Sequence, residues 1–377
     1  MQYVKLRWTR RGLLPLGLTL ALGMSAFAFV HVNSRAQSGA SASSEEDGLR
    51  SVVEKYFVAW SKKDLAGVVA LWSEKSPNLA PFKQSLQQQF TDEELKNGSP
   101  AITGVRVEKE RAFLQARVAQ TSINLKSQRQ SDRRLIVNFE LVKEAGAWKV
   151  CRCAPAAEDL AEALAKMDEQ TERVKLLAQE KELATVELGR ALLTRGEGLS
   201  SQGLFARAVE MCELALRLAE QLGEKSLTVN ALRDLGRVDE MRGNYPQALE
   251  RYEQSLKIAK GIGDRLDMAR ALNGLGNVHD AQGNYTEAAR QYQQSLKIAE
   301  DLDDRTVMAR ALNNLGNIYE QWGDYALALE QYQKSLKIKA ETGDRAGIAT
   351  TLNNIGNVHV DQSNYAQALE LLRQSLK

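Results

Sequence analysis

The sequence predicts an α+β amino-terminal half followed by an all-α array of stacked helical hairpins. Three observations predict it. The carboxy-terminal half repeats one pattern every 40 residues, with leucine at Leu192, Leu232, Leu272, Leu312 and Leu352, and glycine four residues after each. The preceding segment begins with apolar residues at helical spacing and then switches to alternation, at Leu114, Ala116 and Val118 and again at Leu135, Val137, Phe139 and Leu141. Ahead of both lies a basic cluster and a long run without charge.

Each copy of the repeat reads as two helices. In the clearest copy, Ala309 to Ile338, Ala309, Leu312, Leu315, Gly316 and Tyr319 make the apolar or small stripe of the first helix. Gly323 stops it, Asp324 is placed to cap the second helix, and Asp264, Asp304 and Asp344 are placed to cap the next copies. The second helix carries an aromatic at Phe205, Tyr245, Tyr285, Tyr325 and Tyr365, and alanine at Ala208, Ala248, Ala288, Ala328 and Ala368. Tyr332, Ser335 and Leu336 join its buried face. Gly276 and Ala288 are small because a larger side chain would separate two helix axes, at a cost of roughly 1–3 kcal/mol.

These residues resemble the tetratricopeptide repeat (TPR) family, through the small residue of the first helix, the alanine and aromatic of the second, and the Gly-Asn-Tyr turn. Leucine replaces the family's early tryptophan, the closing proline is absent, and each copy is about six residues longer than the usual repeat. The longer form resembles the kinesin light chain and GoLoco-scaffold subgroup, whose "LNNLGN" phrase appears here as Leu312 to Asn317. The resemblance covers residues 185–377 as five repeats, and it implies a solenoid that binds protein or peptide partners.

Composition sets the remaining limits. A net charge of +2 with 26% charged residues carries no bias toward nucleic acid or acidic substrates. Residues 1–36 read as an export signal or membrane anchor. Lys5, Arg7, Arg10 and Arg11 are basic, Gly12 to Val32 is uncharged with His31 neutral, and cleavage motifs end at Ala28 and Ala36. The cleaved and the anchored form both stay open, and both place the bulk of the protein outside the cytoplasm, periplasmic or secreted. Residues 37–47 are small and acidic and read as a disordered linker.

Residues 48–157 form the α+β domain. Val52, Tyr56, Phe57 and Trp60 share one helical face, Leu65, Val68, Val69, Leu71 and Trp72 the next, and a weaker helix covers Pro81 to Lys96. The opening "VVEKYFVAWSKKDLAGVVALW" and the closing "AWKVCRC" resemble the nuclear-transport-factor-2-like (NTF2-like, or SnoaL-like) superfamily. That resemblance implies a curved antiparallel sheet wrapped around helices as a cone with a pocket. Some members are enzymes using an acid–base pair in that pocket. No histidine lies between Asp47 and Pro155, and the remaining candidates, Tyr56 and Asp64, read more simply as core and helix start. Cys151 and Cys153, two apart on one strand, should share the face opposite Trp148 and Val150. They suit neither a disulfide nor a metal site, and no cofactor is implied. Cys212 takes the place of Tyr252, Tyr292 and Tyr332 and reads as core.

Residues 158–184, without glycine or proline, read as a single connector helix, with a coiled-coil dimerisation segment as the lesser alternative. Off the packing stripe of the first helices stand Arg233 and Arg237, then the pairs Asn273 and Asn277, Asn313 and Asn317, and Asn353 and Asn357. Arg270 and Arg310 precede them by one turn; Glu240, Asp280 and Glu320 follow by one. Asparagine is a poor mid-helix residue, so three such pairs need a cause. One cause is bonding between neighbouring helices. The other is a ladder of amides for the backbone of an extended peptide, the role that the resemblance implies for asparagines and basic residues at these slots. The expected function is therefore a non-enzymatic exported scaffold binding a peptide segment. The alternative is a small-molecule-binding or enzymatic cone with the repeats as output, as a fragment of a longer protein with a CHAT-type protease domain. Leu371, Leu372 and Leu376 at the last repeat are the expected point of self-association.

Overall fold

The computed structural model describes residues 40–125, 128 and 130–376. The expected targeting segment, residues 1–36, lies outside them. Among the described residues no helix is long and apolar enough to cross a membrane.

The first half is built from helices α1 (Ala40–Ser61), α2 (Leu65–Ala70) and α3 (Leu79–Asp92), then strands β1 (Glu93–Asn97), β2 (Ala101–Glu108), β3 (Arg111–Asn124), β4 (Gln130–Glu144) and β5 (Ala147–Pro155). All strand pairs are antiparallel: β3 lies between β4 and a divided edge made by β1 and β2, and β5 closes the other side. Bulges at Ile102/Gly104 and Glu140/Leu141 bend the sheet. Its inner face, through Leu114, Ala116, Val118, Val137 and Phe139, packs on Tyr56, Phe57, Val68 and Trp72 of the helices.

Three sequence expectations change here. The helix starts at Ala40 rather than after a disordered linker, and Glu45 reaches Lys143 at 2.6 Å. The weak third helix ends at Asp92, because Glu93–Asn97 pairs with Gln120–Asn124 as a strand. Cys151 is the extra residue of the β5 bulge, opposite no β4 partner, so alternation slips there. Cys153 therefore joins Val150 on the core side, where its Sγ lies 3.4 Å from Tyr56 Oη. Burial pushes that thiol up to about 12. All three cysteines are free.

The connector is not one helix. It is α4 (Ala156–Lys166), α5 (Gln170–Gln179) and a 3-10 turn, Lys181–Leu183. Ala156, Leu160, Ala161 and Leu164 of α4 share one core with the first repeat. On its other side α4 meets the sheet, where Asp159 takes Arg152 and an Nδ2 bond from Asn138 at 2.9 Å.

Five hairpins follow: α6 (Val186–Ser201) and α7 (Phe205–Leu222), α8 (Lys225–Met241) and α9 (Tyr245–Ile262), α10 (Arg265–Ala281) and α11 (Tyr285–Asp301), α12 (Arg305–Gln321) and α13 (Tyr325–Thr342), α14 (Arg345–Asp361) and α15 (Tyr365–Ser375). The turn within a hairpin needs a left-handed residue, supplied by Gly203, Gly243, Gly283 and Gly323 and, in the fifth, by Ser363. Asp264, Asp304 and Asp344 accept from the backbone three residues on, capping each following helix. Within a hairpin the second helix is tied to the first by a buried serine: Ser255, Ser295 and Ser335 donate to the carbonyls of Val229, Ala269 and Ala309 at 2.7–3.0 Å.

Candidate functional site

The first helices α6, α8, α10, α12 and α14 each touch the next, and along their row runs a groove of about 680 Å³. Its lining extends from Glu197 in the first repeat to Lys339 in the fourth. Seven of the residues that the sequence singled out line it: Arg233, Arg237, Arg270, Asn273, Asn277, Arg310 and Asn313. Asn317 lies half-buried beyond it, and Asn353 and Asn357 are exposed on α14.

The asparagines serve the fold as well. Asn277 Oδ1 accepts from Tyr292 Oη and from Asn314 Nδ2, both at 3.0 Å, and its Nδ2 donates to Glu240 at 3.3 Å. Asn317 Oδ1 accepts from Tyr332 Oη at 2.7 Å and from Asn354 Nδ2 at 3.1 Å. Both residues are tie-bars between consecutive repeats. Asn273 and Asn313 are divided in use. Their oxygens accept within the protein, from Asn314 at 3.0 Å and from Thr351 at 2.9 Å. Their Nδ2 groups make no hydrogen bond among the described residues, and these two donors belong to side chains lining the groove. Alanine at Asn313 would therefore strip a buried acceptor as well as a donor, and lower the melting point. The bridging partners Asn314 and Asn354, one residue beyond the slots chosen from sequence, went unread there; their own 40-residue spacing was the available signal.

Charge in the groove is mostly paired. Buried Asp267 takes Arg233 at 2.6 Å and Arg270 at 3.0 Å, Asp234 lies 3.6 Å from Arg233, and Glu197 lies 3.4 Å from Arg237. Burial raises the Asp234 carboxyl against the pull of its arginines. Beside the asparagines, Glu240 and Glu320 accept from Tyr252 and Tyr332 at 2.8 and 2.7 Å. Burial raises both carboxyls, and the tyrosine bonds oppose it.

A carboxyl raised in the folded state contributes stability that is fully present below its unfolded value, near 4.5. That contribution is lost as pH rises through the folded value. Lowering the pH from 7.5 toward 5 should thus raise the melting temperature of the full chain, measured by circular dichroism. Glu240→Gln with Glu320→Gln should flatten the rise. An unchanged slope in the double variant would refute this assignment.

In the first half, the interior that an acid–base site would occupy is filled by rings. Tyr56 meets Phe57 and Phe139 edge-on at 5.3 and 5.1 Å, and Trp72 stacks on Phe82 at 4.3 Å. Asp64 accepts from Gly67 N at 2.8 Å as the cap of α2. Tyr56 is thus a buried core residue and Asp64 a helix cap. No group of three or more His, Cys, Asp or Glu able to hold a metal occurs among the described residues.

Helical hairpins in strict repeat, lined by a groove of polar side chains, define a solenoid scaffold. The tetratricopeptide repeat family model matches residues 187–261, 258–301, 267–341 and 307–377, half of the chain, and the chain belongs to that family. A second family, described as the C-terminal domain of anti-sigma-I factor RsgI9, matches residues 51–154. Among solved structures, BtubC (BKLC) from P. vanneervenii is 21% identical over 58% of this chain and 89% of its own, with a TM-score of 0.47. A Rap protein complexed with Competence and Sporulation Factor is 14% identical over 58% of this chain and 63% of its own, at 0.48. A Podosopora anserina putative kinesin light chain with nearly identical TPR-like repeats is 18% identical over 49% and 92%, at 0.39. A search of curated protein sequences found no match.

Proposed function

We propose that this chain is an exported, non-enzymatic scaffold that holds an extended peptide segment of a partner protein along the row of first helices. The observation that carries the reading is the pair of uncommitted amide donors, Asn273 Nδ2 and Asn313 Nδ2, in a groove that Arg237, Arg270 and Arg310 also line. An extended peptide offers a carbonyl at every residue. Each bond contributes about 0.5–1.5 kcal/mol net, so a few of them with one ionic contact support micromolar binding after the ordering cost. The export half of the reading rests on Lys5 to Arg11 and the uncharged run after them. The NTF2-like half is read as a rigid mount for the array.

The test is a displayed peptide library selected against the full chain. Selected peptides should bind with micromolar Kd and weaken at least tenfold with Arg237→Glu and Arg310→Glu together. Lys257→Glu with Lys297→Glu, exposed on second helices, should leave binding unchanged. Peptides that respond to the second pair and not the first would refute the groove. A library that yields no binder would refute the peptide reading itself.

A further inference from the structure

The repeat is regular enough that departures confined to one junction carry information, and three coincide between the fourth and fifth copies. Lys339 stands where the earlier copies have Ala219, Ala259 and Ala299. Gly347 replaces the Leu227, Asp267 and Val307 of the preceding copies. Thr351 replaces Ala191, Ala231, Ala271 and Ala311. The three meet in space. Lys339 is 6% exposed, and its Nζ donates to Thr351 Oγ1 at 2.7 Å and to Asn313 Oδ1 at 3.3 Å. A Cβ on Gly347 would come 2.1 Å from the capping Asp344 Oδ2 and 2.9 Å from Lys339 Cδ, so the glycine leaves space beside both the cap and the lysine stem. The wall of the groove therefore holds a buried lysine at this junction, where the equivalent positions of earlier copies hold alanine.

Two neutral oxygens orient this ammonium, and among the described residues no carboxylate lies within ion-pair distance of it. Asp344, the acid that acts on it electrostatically, accepts at Oδ1 from Gly347 N as a helix cap. Arg310, on the same stretch of groove, is exposed and also forms no ion pair among the described residues. The contrast lies two repeats earlier, where Arg233 and Arg270 share buried Asp267. Burial lowers the Lys339 pKa, Asp344 opposes that, and Arg310 lowers it further. Removing a charge from water without a counter-ion is costly, and a ligand that brings one recovers part of that cost.

We propose that the fourth junction is an oxyanion subsite, in which one anionic group of the bound peptide enters the groove between Arg310 and Lys339 and sets its register. This deepens the groove reading and rests on it. The chemistry required is a carboxylate or phosphoryl oxygen pair, with Lys339 as a point donor from below and the Arg310 fork from the rim. The second-helix lysine is the determinant. It lies outside the first-helix slots that the sequence pattern marks, and it gives one junction of the array a preference that the others lack.

Three fluorescent ten-residue Gly/Ser peptides test it, identical except for a central Glu, Gln or phosphoserine, with inorganic phosphate as competitor and the full chain as receptor. Wild type should bind the Glu or phosphoserine peptide at least tenfold more tightly than the Gln peptide. Lys339→Met, which keeps the stem and drops the charge, should erase that ratio while retaining affinity for the Gln peptide. Arg310→Gln, at an exposed position, should reduce the ratio in the same direction and serves if the methionine variant does not fold. Competition by millimolar phosphate supports the subsite and marks phosphoryl as an acceptable source. Equal binding of the Glu, Gln and phosphoserine peptides by wild type, or a ratio unchanged in both variants, overturns the subsite while leaving the groove standing. If no peptide binds, but phosphate raises the melting temperature of wild type and not of Lys339→Met, the subsite survives and the peptide reading falls.

Discussion

Gly316→Val is expected to melt roughly 2–12 °C below wild type, with the loss falling in the repeat array. The reason is steric. A Cβ at Gly316 would come 2.5 Å from Cε1 of Tyr332, a ring with no exposure and an Oη fixed by Asn317 and Glu320. Neither the ring nor the helix backbone can yield without breaking those bonds, and overpacking of this kind costs about 1–3 kcal/mol, at about 2–4 °C per kcal/mol for an array this long. Valine is used because alanine would regain about 1 kcal/mol of helix propensity and mask the clash. Gly276→Val should behave alike, since Tyr292 stands at the same 2.5 Å, and Gly236→Val less severely, with Tyr252 at 3.0 Å. Gly198, with nothing within 4 Å of its Cβ, is the control, and Gly198→Ala should hold or raise stability. Scanning calorimetry reads the series. A Gly316→Val chain that melts with wild type would show that the repeated glycine answers to something other than the tyrosine ring.

That glycine and its tyrosine were legible from sequence because five copies place equivalent residues at equal spacing, and the periodic stripe is set by local helix geometry. The faces of the asparagines were legible on the same ground. Their partners were not. Asn277 bonds to Glu240, Tyr292 and Asn314, which stand 37, 15 and 37 residues away, distances that become contacts only once hairpins stack. Lys339 occupied an alanine slot that the repeat pattern treats as plain packing, so its burial was hidden behind its neighbours' regularity. The strand Glu93–Asn97 reads as helix by propensity, since Glu, Leu and Lys favour helices. Pairing with β3 overrides that preference. The bulge that turns Cys153 inward leaves no mark in an alternating pattern, because alternation presumes that none is present.

The connector gives the second large effect, and it explains why residues 158–184 could not be read as broken. No glycine or proline interrupts them; a guanidinium does the work. Arg173 is 3% exposed, donates from Nε to Leu164 O at 3.0 Å and from Nη2 to Met167 O, and meets Glu210 at 2.9 Å. It therefore satisfies carbonyls freed where α4 ends, and it pins α5 against both α4 and the first repeat. Arg173→Met keeps the apolar stem and leaves two carbonyls without donors, at about 1–3 kcal/mol each. The lost pair with half-exposed Glu210 adds little. The damage should be local. Leu176 and Leu183 are the buried side chains that anchor α5 and the turn, so residues 170–183 should open while α8 to α13, held by their own contacts, stay closed. Limited proteolysis of the variant should cut between about Met167 and Thr185, and hydrogen exchange should rise in α5 alone. Arg173→Lys should not rescue it, because one ammonium cannot span two carbonyls and a carboxylate in the guanidinium's fixed geometry. Wild-type protease resistance in the methionine variant would mean that α5 is held by its apolar contacts and that the buried charge is incidental.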